Sequence, residues 1–255
     1  MFNFFKRFCD IVVSLVAVIV LSPLLLLLCL LTAIFNGAPV VFKQPRPGKD
    51  GKIFMLYKFR SMSNKTDANG NLLPDSKRIT KFGKFLRASS LDELPQLFNI
   101  IKGDMSIVGP RPRLVKDVIF YHPSIRSLKV RPGITGLSQV NGRNNNTWES
   151  SFIYDALYVQ KRSLVLDTKI FFKTFEVVLK RTGINDGQTD IQDYYYGDYL
   201  LRVGKISQEE YNQKMQQAKR ICEEFTASRK FRKHYAMKAD RVEAEEFDFE
   251  HKLSD

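Results

Sequence analysis

No charged residue occurs between Asp10 and Lys43, and Ile11 to Phe35 is apolar at almost every position. As a single helix that core, 25 residues long, would reach roughly 38 Å, enough to cross a bilayer. The run is too long for the apolar core of a secretory signal, and Thr32-Ala33-Ile34-Phe35-Asn36 offers no clear small-residue cleavage site. A membrane-embedded segment is therefore the first constraint on the fold.

Two features argue against a straight span. Ser22-Pro23 lies in the middle of the run. Pro23 has no N–H for the carbonyl of Ile19, and its ring crowds that turn, so a kink is expected there. The Ser22 hydroxyl can satisfy a backbone group freed by the break. The second feature is charge. Lys6 and Arg7 precede the run, and Lys43, Arg46, Lys49 and Lys52 follow it. The positive-inside tendency puts both flanks in the cytoplasm. A helix that enters, breaks at Ser22-Pro23 and leaves by the same face satisfies both observations; a kinked single span satisfies only the first. Phe2, Phe4, Phe5 and Phe8 interleave with the first two cations, as in an interfacial segment.

The remainder is globular in composition. The chain has 255 residues, 44% apolar and 26% charged, which excludes wholesale disorder and low-complexity architecture. Its net charge of +13 is unevenly spread: residues 1–185 hold 28 basic and 12 acidic side chains, residues 186–255 hold 12 and 15. The first part should attract anions such as nucleic acid, acidic headgroups or phosphorylated small molecules. The three cysteines, Cys9, Cys29 and Cys222, form neither a disulfide framework nor a zinc pattern. A reducing compartment fits them.

The expected fold is α+β and mainly helical. Residues 1–39 hold the membrane segment, expected as a helix hairpin, and the interfacial segment; 40–185 hold a cytosolic domain with a short β-hairpin, and 186–255 a helical appendage with an acidic tail. Val40-Val41-Phe42 reads as a short strand, Arg46 to Gly51 as a turn and Ile53 to Phe59 as the returning strand. Trp148 to Tyr158 and Leu166 to Lys180 read as helices. Ser207-Gln208-Glu209-Glu210 is a capping-box signature, and Tyr211, Met215, Ala218, Cys222 and Phe225 follow on one helix face.

Chemistry could lie at three places. Asp92 and Glu93 are adjacent within a basic stretch. With Ser90 as an N-cap they fall in a helix's first turn, where Ser90 and Glu93 form a capping box. The same place suits a carboxylate that meets an anionic substrate and attacks phosphorus. In Val108-Gly109-Pro110-Arg111-Pro112-Arg113 the prolines restrict the backbone around Arg111, so little entropy is lost when it grips a phosphate; a rigid surface loop is the plainer reading. Lys58, Arg60 and Arg87 are further candidate phosphate ligands. Asp167 is either a helix cap or a metal-bridging acid. No Walker loop, GxGxxG, HExxH or G-x-S-x-G motif occurs.

The ordered series Gln44-x-Arg46-x-Gly48-x-x-Gly51-Lys52-x-Phe54, Lys58-Phe59-Arg60-Ser61-Met62, Ser90 to Leu97, Gly103 to Pro112 and Arg131 to Arg143 resembles the bacterial sugar transferases, the monotopic polyprenol-phosphate phosphoglycosyl transferases in their compact form. The resemblance covers nearly all of residues 1–185. It implies transfer of a phosphosugar from a UDP-sugar to a membrane polyprenol phosphate such as undecaprenyl phosphate, with release of UMP, at the cytoplasmic face of the bacterial inner membrane. It implies a re-entrant hairpin broken at Ser22-Pro23. It makes Asp92 the nucleophile of an aspartyl-phosphosugar intermediate and Glu93 its partner, with Mg²⁺ bridging Asp92 and the diphosphate. Pro110-Arg111-Pro112 matches a uridine-side contact, and Lys58, Arg87, Arg143 and Asp167 match polar positions lining the site.

The rival from another class is a membrane-anchored protein that binds nucleic acid or anionic lipid without catalysis. It accounts for the charge but not for the Asp92-Glu93 pair, and nucleic acid is not the expected partner. Residues 186–255 extend beyond the resemblance. Covering the core, self-association and contact with a following glycosyltransferase all remain open for them.

Overall fold

The computed structural model describes residues 2–122, 125–142, 146–180 and 195–227. The apolar run forms two helices, α1 (Phe2–Val20) and α2 (Ser22–Asn36), bent by 66° where they meet. Neither helix alone is long and apolar enough to cross a membrane; the bent pair together is. The break has a local cause. Pro23 cannot donate to the Ile19 carbonyl, and Ser22 Oγ donates to it instead at 2.8 Å.

Both ends of this pair are tied to the same body. On α1, buried Asp10 accepts from Ser106 Oγ at 2.7 Å and from the Ile107 N–H at 3.1 Å. Arg7 donates to the carbonyls of Ile100 and Ile101 at 2.6 and 3.0 Å, and Lys6 Nζ to Asp167 Oδ2 at 2.6 Å. At the far end of α2, Asn36 Nδ2 donates to the Arg60 carbonyl at 2.6 Å, while its Oδ1 accepts from the Thr80 hydroxyl. Between these ties Val16, Ile19, Val20, Leu26, Leu30 and Ile34 are exposed.

The strands β1 (Val41–Pro47) and β2 (Ile53–Phe59) pair antiparallel, Val41 opposite Phe59 and Pro47 opposite Ile53. The first strand is longer than the sequence suggests, running through Pro45 into the expected turn. Pro45 and Pro47 are two apart, so their missing donors lie on one side of the strand, and a two-stranded sheet leaves one side of each strand without a ladder partner.

Then come α3 (Asp75–Arg78), α4 (Lys81–Ala88), a 3-10 turn over Leu91–Glu93, and α5 (Gln96–Lys102). Thr80 caps α4 by accepting from the Gly83 N–H at 2.8 Å. The capping box expected at Ser90 is absent. Ser90 is left-handed (φ 58°, ψ 15°), its side chain does not cap, and Glu93 turns to other partners.

The parallel pair β3 (Ser106–Val108) and β4 (Gly133–Thr135) encloses the short α6 (Val115–Val118) in sequence. Here only glycine fits: a Cβ on Gly133 would lie 2.1 Å from the Gly109 nitrogen, and one on Gly136 2.2 Å from the Gly109 oxygen. The described chain continues through α7 (Leu137–Val140), α8 (Trp148–Lys161), α9 (Leu164–Leu179), α10 (Tyr196–Arg202) and α11 (Gln208–Ala227). Ser207 Oγ accepts from the Glu210 N–H at 3.1 Å, as its capping signature requires. Ala218, Ile221 and Phe225 of α11 pack on Ile53 and Val115. The acidic tail lies outside the described residues.

One buried side chain joins α5 to the hairpin. Asn99 Nδ2 donates to the Met55 carbonyl at 2.6 Å, and its Oδ1 accepts from the Tyr57 N–H at 3.1 Å, so it stands in for a third strand beside β2. Asn99→Leu should leave both backbone groups buried and unpaired at a cost of about 2–4 kcal/mol. A lowered unfolding midpoint of the detergent-solubilised variant is the expected result.

Candidate active site

Asp92 and Glu93 project from the 3-10 turn that follows α4. The leucines on either side of the pair, Leu91 and Leu94, pack into a cluster with Leu28 of α2, Phe59 of β2 and Leu86 of α4. The acids therefore sit where the second apolar helix meets the hairpin. A local capping box would have pointed Glu93 back along its own helix. Packing of the two leucines sets a different course, and long-range cations take up the carboxylate.

Lys58 on β2 places Nζ 2.6 Å from Glu93 Oε1 and 3.8 Å from Asp92 Oδ2. Arg111 Nη2 lies 3.2 Å from the same Glu93 oxygen. Arg87, in the last turn of α4, donates from Nε to Ser61 Oγ at 2.8 Å, and its charge acts on Asp92. Pro110 and Pro112 flank Arg111, and Arg46 holds the turn by donating to the Pro112 carbonyl at 3.1 Å. Lys58, Arg87, Asp92, Glu93 and Arg111 thus converge from four separate segments.

Two candidates stand elsewhere. Arg60 donates to the Ala38 carbonyl at 2.6 Å, at the exit from α2. Asp167 is neither a cap nor part of this cluster. Ser163 caps α9, and Asp167 accepts from Lys6 and, at 2.8 Å, from the buried Tyr158 hydroxyl. Arg143 lies outside the described residues. Arg46, which the sequence offered as a basic flanking, turn and motif residue, also supports the site: it lies on β1 two residues from Gln44 on the same face, and its Nη2 donates to Gln44 Oε1 at 2.8 Å.

The two acids are electrostatically unlike. Burial alone would raise Glu93, but Lys58 and Arg111 override it by charge and hydrogen bonding and bring its pKa down to about 2. Burial raises Asp92, and the charge of Lys58 only partly opposes it. Glu93 is thus committed to two cations. Among the described residues no direct hydrogen bond reaches the Asp92 carboxylate.

That difference bears on the implied Mg²⁺. No group of three His, Cys, Asp or Glu side chains among the described residues is placed to hold a metal. Mg²⁺ commonly takes only one or two carboxylates, completing its shell with water and substrate phosphates. Asp92, whose oxygens accept no direct hydrogen bond among the described residues, fits that mode. Beside Arg111 a narrow cleft of about 10 Å³ is lined by Pro47, Gly48, Pro110, Pro112, Arg113 and Tyr121, among others.

The model of the bacterial sugar transferases matches residues 1–181. The chain belongs to the bacterial sugar transferase family. It is 46% identical over 180 residues to the uncharacterized sugar transferase EpsL of Bacillus subtilis, covering 70% of this chain and 89% of that one. It is 44% identical over 181 residues to the UDP-glucose:undecaprenyl-phosphate glucose-1-phosphate transferase of Klebsiella pneumoniae, covering 67% of this chain and 39% of that one. With the undecaprenyl-phosphate galactose phosphotransferase of Salmonella typhimurium it shares 41% over 205 residues, 71% of this chain and 42% of that one. The chain thus spans nearly all of the Bacillus relative but less than half of the other two. Family membership makes the protein a sugar-phosphate transferase.

The charges predict two acid-side behaviours. Glu93 has a folded-state pKa below its ordinary 4.5, so its contribution to stability is full above that pH and is lost as pH falls toward 2. Asp92 should take up a proton at a pH above its ordinary 3.8, and Lys58→Met should move that point further up. The pH dependence of carbodiimide labelling at Asp92, read by mass spectrometry, checks this. A downward move in the variant would remove Lys58 as the neighbouring charge.

Proposed function

We propose that this transferase moves a phosphosugar from a UDP-sugar to a polyprenol phosphate held in the bacterial cytoplasmic membrane, through an aspartyl-phosphosugar intermediate. The observation that carries the reading is the division between the two acids: Glu93 is hydrogen-bonded to Lys58 and Arg111, while Asp92 has only a longer ion pair to Lys58, at 3.8 Å. The names of the Klebsiella and Salmonella relatives support the donor and acceptor classes.

In the first displacement an Asp92 oxygen attacks the sugar-bearing phosphorus. The bond from that phosphorus to the bridging oxygen breaks, and UMP leaves with the electron pair. Lys58, Arg87 and Arg111 offset the repulsion between the carboxylate and the diphosphate and stabilise charge as it develops. In the second, an oxygen of the lipid phosphate attacks the same phosphorus. The acyl-phosphate bond breaks, the Asp92 carboxylate is restored, and a polyprenol-diphosphate sugar departs. Glu93, held near 2, stays anionic throughout; it orients Lys58 and Arg111 rather than moving a proton. Mg²⁺, bound by Asp92 and the diphosphate, would supply further charge neutralisation.

The membrane reading rests on α1 and α2. Their outward face is a continuous apolar surface of the kind that requires a cover, and both ends return to one body. That supports a re-entrant pair whose apex dips into the bilayer, with the acids at its edge. Exposed Val165, Phe172, Phe175 and Leu179 on α9 add to the apolar surface. Splitting the transfer in two suits this place, because UMP can return to water before the lipid phosphate arrives.

Purified protein with undecaprenyl phosphate and Mg²⁺ should release UMP from UDP-glucose or UDP-galactose. Asp92→Asn should lower that rate by about 10³-fold or more while leaving the protein folded; near-normal release would remove Asp92 as nucleophile. In a background without the native cysteines, Asn3→Cys and Lys43→Cys should be labelled from the same side of the membrane. Labelling from opposite sides would establish a single span.

A further inference from the structure

The family match ends at residue 181, and α10 and α11 lie beyond it. They pack on the element that follows the Arg111 turn. That element, α6, is a single turn of four residues, too short to hold its own conformation. Its Val115, Asp117 and Val118 are nonetheless all buried, and the appendage supplies much of the cover. Ala218, Ile221 and Phe225 of α11 close over Val115. Tyr211 stacks on Phe120 with ring centroids 5.9 Å apart. At Gly197 the backbone of α10 comes so near Phe120 that a Cβ would lie 2.6 Å from the ring.

Tyr196 makes the most direct link. Its N–H donates to Asp117 Oδ1 at 3.1 Å. Its ring meets those of Tyr121 at 5.7 Å and Trp148 at 5.1 Å. Trp148 in turn carries the Arg113 guanidinium 4.6 Å from its ring centroid. Arg113 and Tyr121 both line the cleft beside Arg111. One aromatic residue of the appendage therefore touches α6, a wall of the cleft, and the ring on which a cleft arginine rests.

We infer that α10 and α11 act as a brace that pre-sets the Arg111–Arg113 turn for the nucleotide end of the donor, with Tyr196 as its central positioning residue. The inference rests on the UDP-sugar reading given above. Physically, the turn is fixed upstream by the Gly109–Gly133 crossing and at Pro112 by Arg46, and downstream by the Trp148 ring under Arg113 and by what packs on α6. Holding it in place before the donor arrives lowers the ordering cost of binding. Loosening it should weaken grip on the nucleotide without touching Asp92 or the lipid's approach.

The test is calorimetric titration of the full-length, detergent-solubilised protein with UDP in the presence of Mg²⁺, with steady-state UMP release in parallel. Tyr196→Ala should weaken UDP binding about tenfold. It should lower kcat/KM for the UDP-sugar to a similar extent and leave kcat/KM for the polyprenol phosphate unchanged. Tyr196→Phe should retain wild-type values. If Tyr196→Ala does not fold, Tyr196→Leu, which keeps apolar bulk without the ring, is judged by the same numbers. An unchanged Kd for UDP in the folded variant overturns the brace while leaving the transferase reading intact. Wild-type protein that binds UDP, loses that grip in the variant and yet releases no UMP supports the brace and refutes the proposed reaction. Failure of the wild type to bind UDP at all overturns both.

Discussion

The break at Ser22-Pro23 is the constraint on which the rest of the molecule depends. It removes one backbone hydrogen bond from an apolar helix, and the Ser22 hydroxyl covers the carbonyl left behind. The consequence is geometric. A chain that would otherwise run on in one direction turns by 66° and comes back to the body it left. Asp10, Arg7 and Lys6 can then dock one end while Asn36 docks the other, and Leu28 can reach the leucines that flank the two acids. A straight helix of the same residues would carry Asn36 and the hairpin away from Asp10 and its partners.

At the site, the balance of burial against charge decides which acid does what. Both are withdrawn from water, which favours protonation. For Glu93 two cations within hydrogen-bonding distance overcome that tendency. For Asp92 the charges of Lys58, at 3.8 Å, and of Arg87 and Arg111 do not. The result is an anion committed to two cations beside a carboxyl that accepts no direct hydrogen bond among the described residues. Breaking such a buried pair by removing one partner is strongly destabilising, because it strands the other charge. This ties the folding of the turn to the same contacts that arrange its chemistry.

The crossing of β3 and β4 adds a second rigid point. Gly109, Gly133 and Gly136 let two backbones approach more closely than any side chain would allow. Pro110 leaves that crossing in a fixed direction, Arg46 holds the carbonyl of Pro112, and the Arg111 turn is presented to Glu93 from a stiff base. These glycines and prolines thus make one device with one output, the position of a guanidinium.

Much was legible in the sequence because it is local. Helical patterning gives α8, α9 and α11; Ser207 marks the start of α11; Pro23 marks the bend. Each rests on contacts within about one helical turn. The ordered motifs gave the family, since chemistry needs those residue types whatever their route to the site. Only the tertiary structure decided the rest. Ser90 and Glu93 have capping-box spacing, yet Lys58, from 35 residues earlier, and Arg111 take the carboxylate instead. Asp167 has the position of a first-turn acid, yet its partners are Lys6 and Tyr158. Arg60 and Arg87 look alike in sequence, but one holds the exit of α2 and the other faces the acids. In each case a charge or hydrogen bond formed across the fold outweighs a local preference worth about 1 kcal/mol, and no reading confined to neighbours in the chain can see which distant partner will arrive.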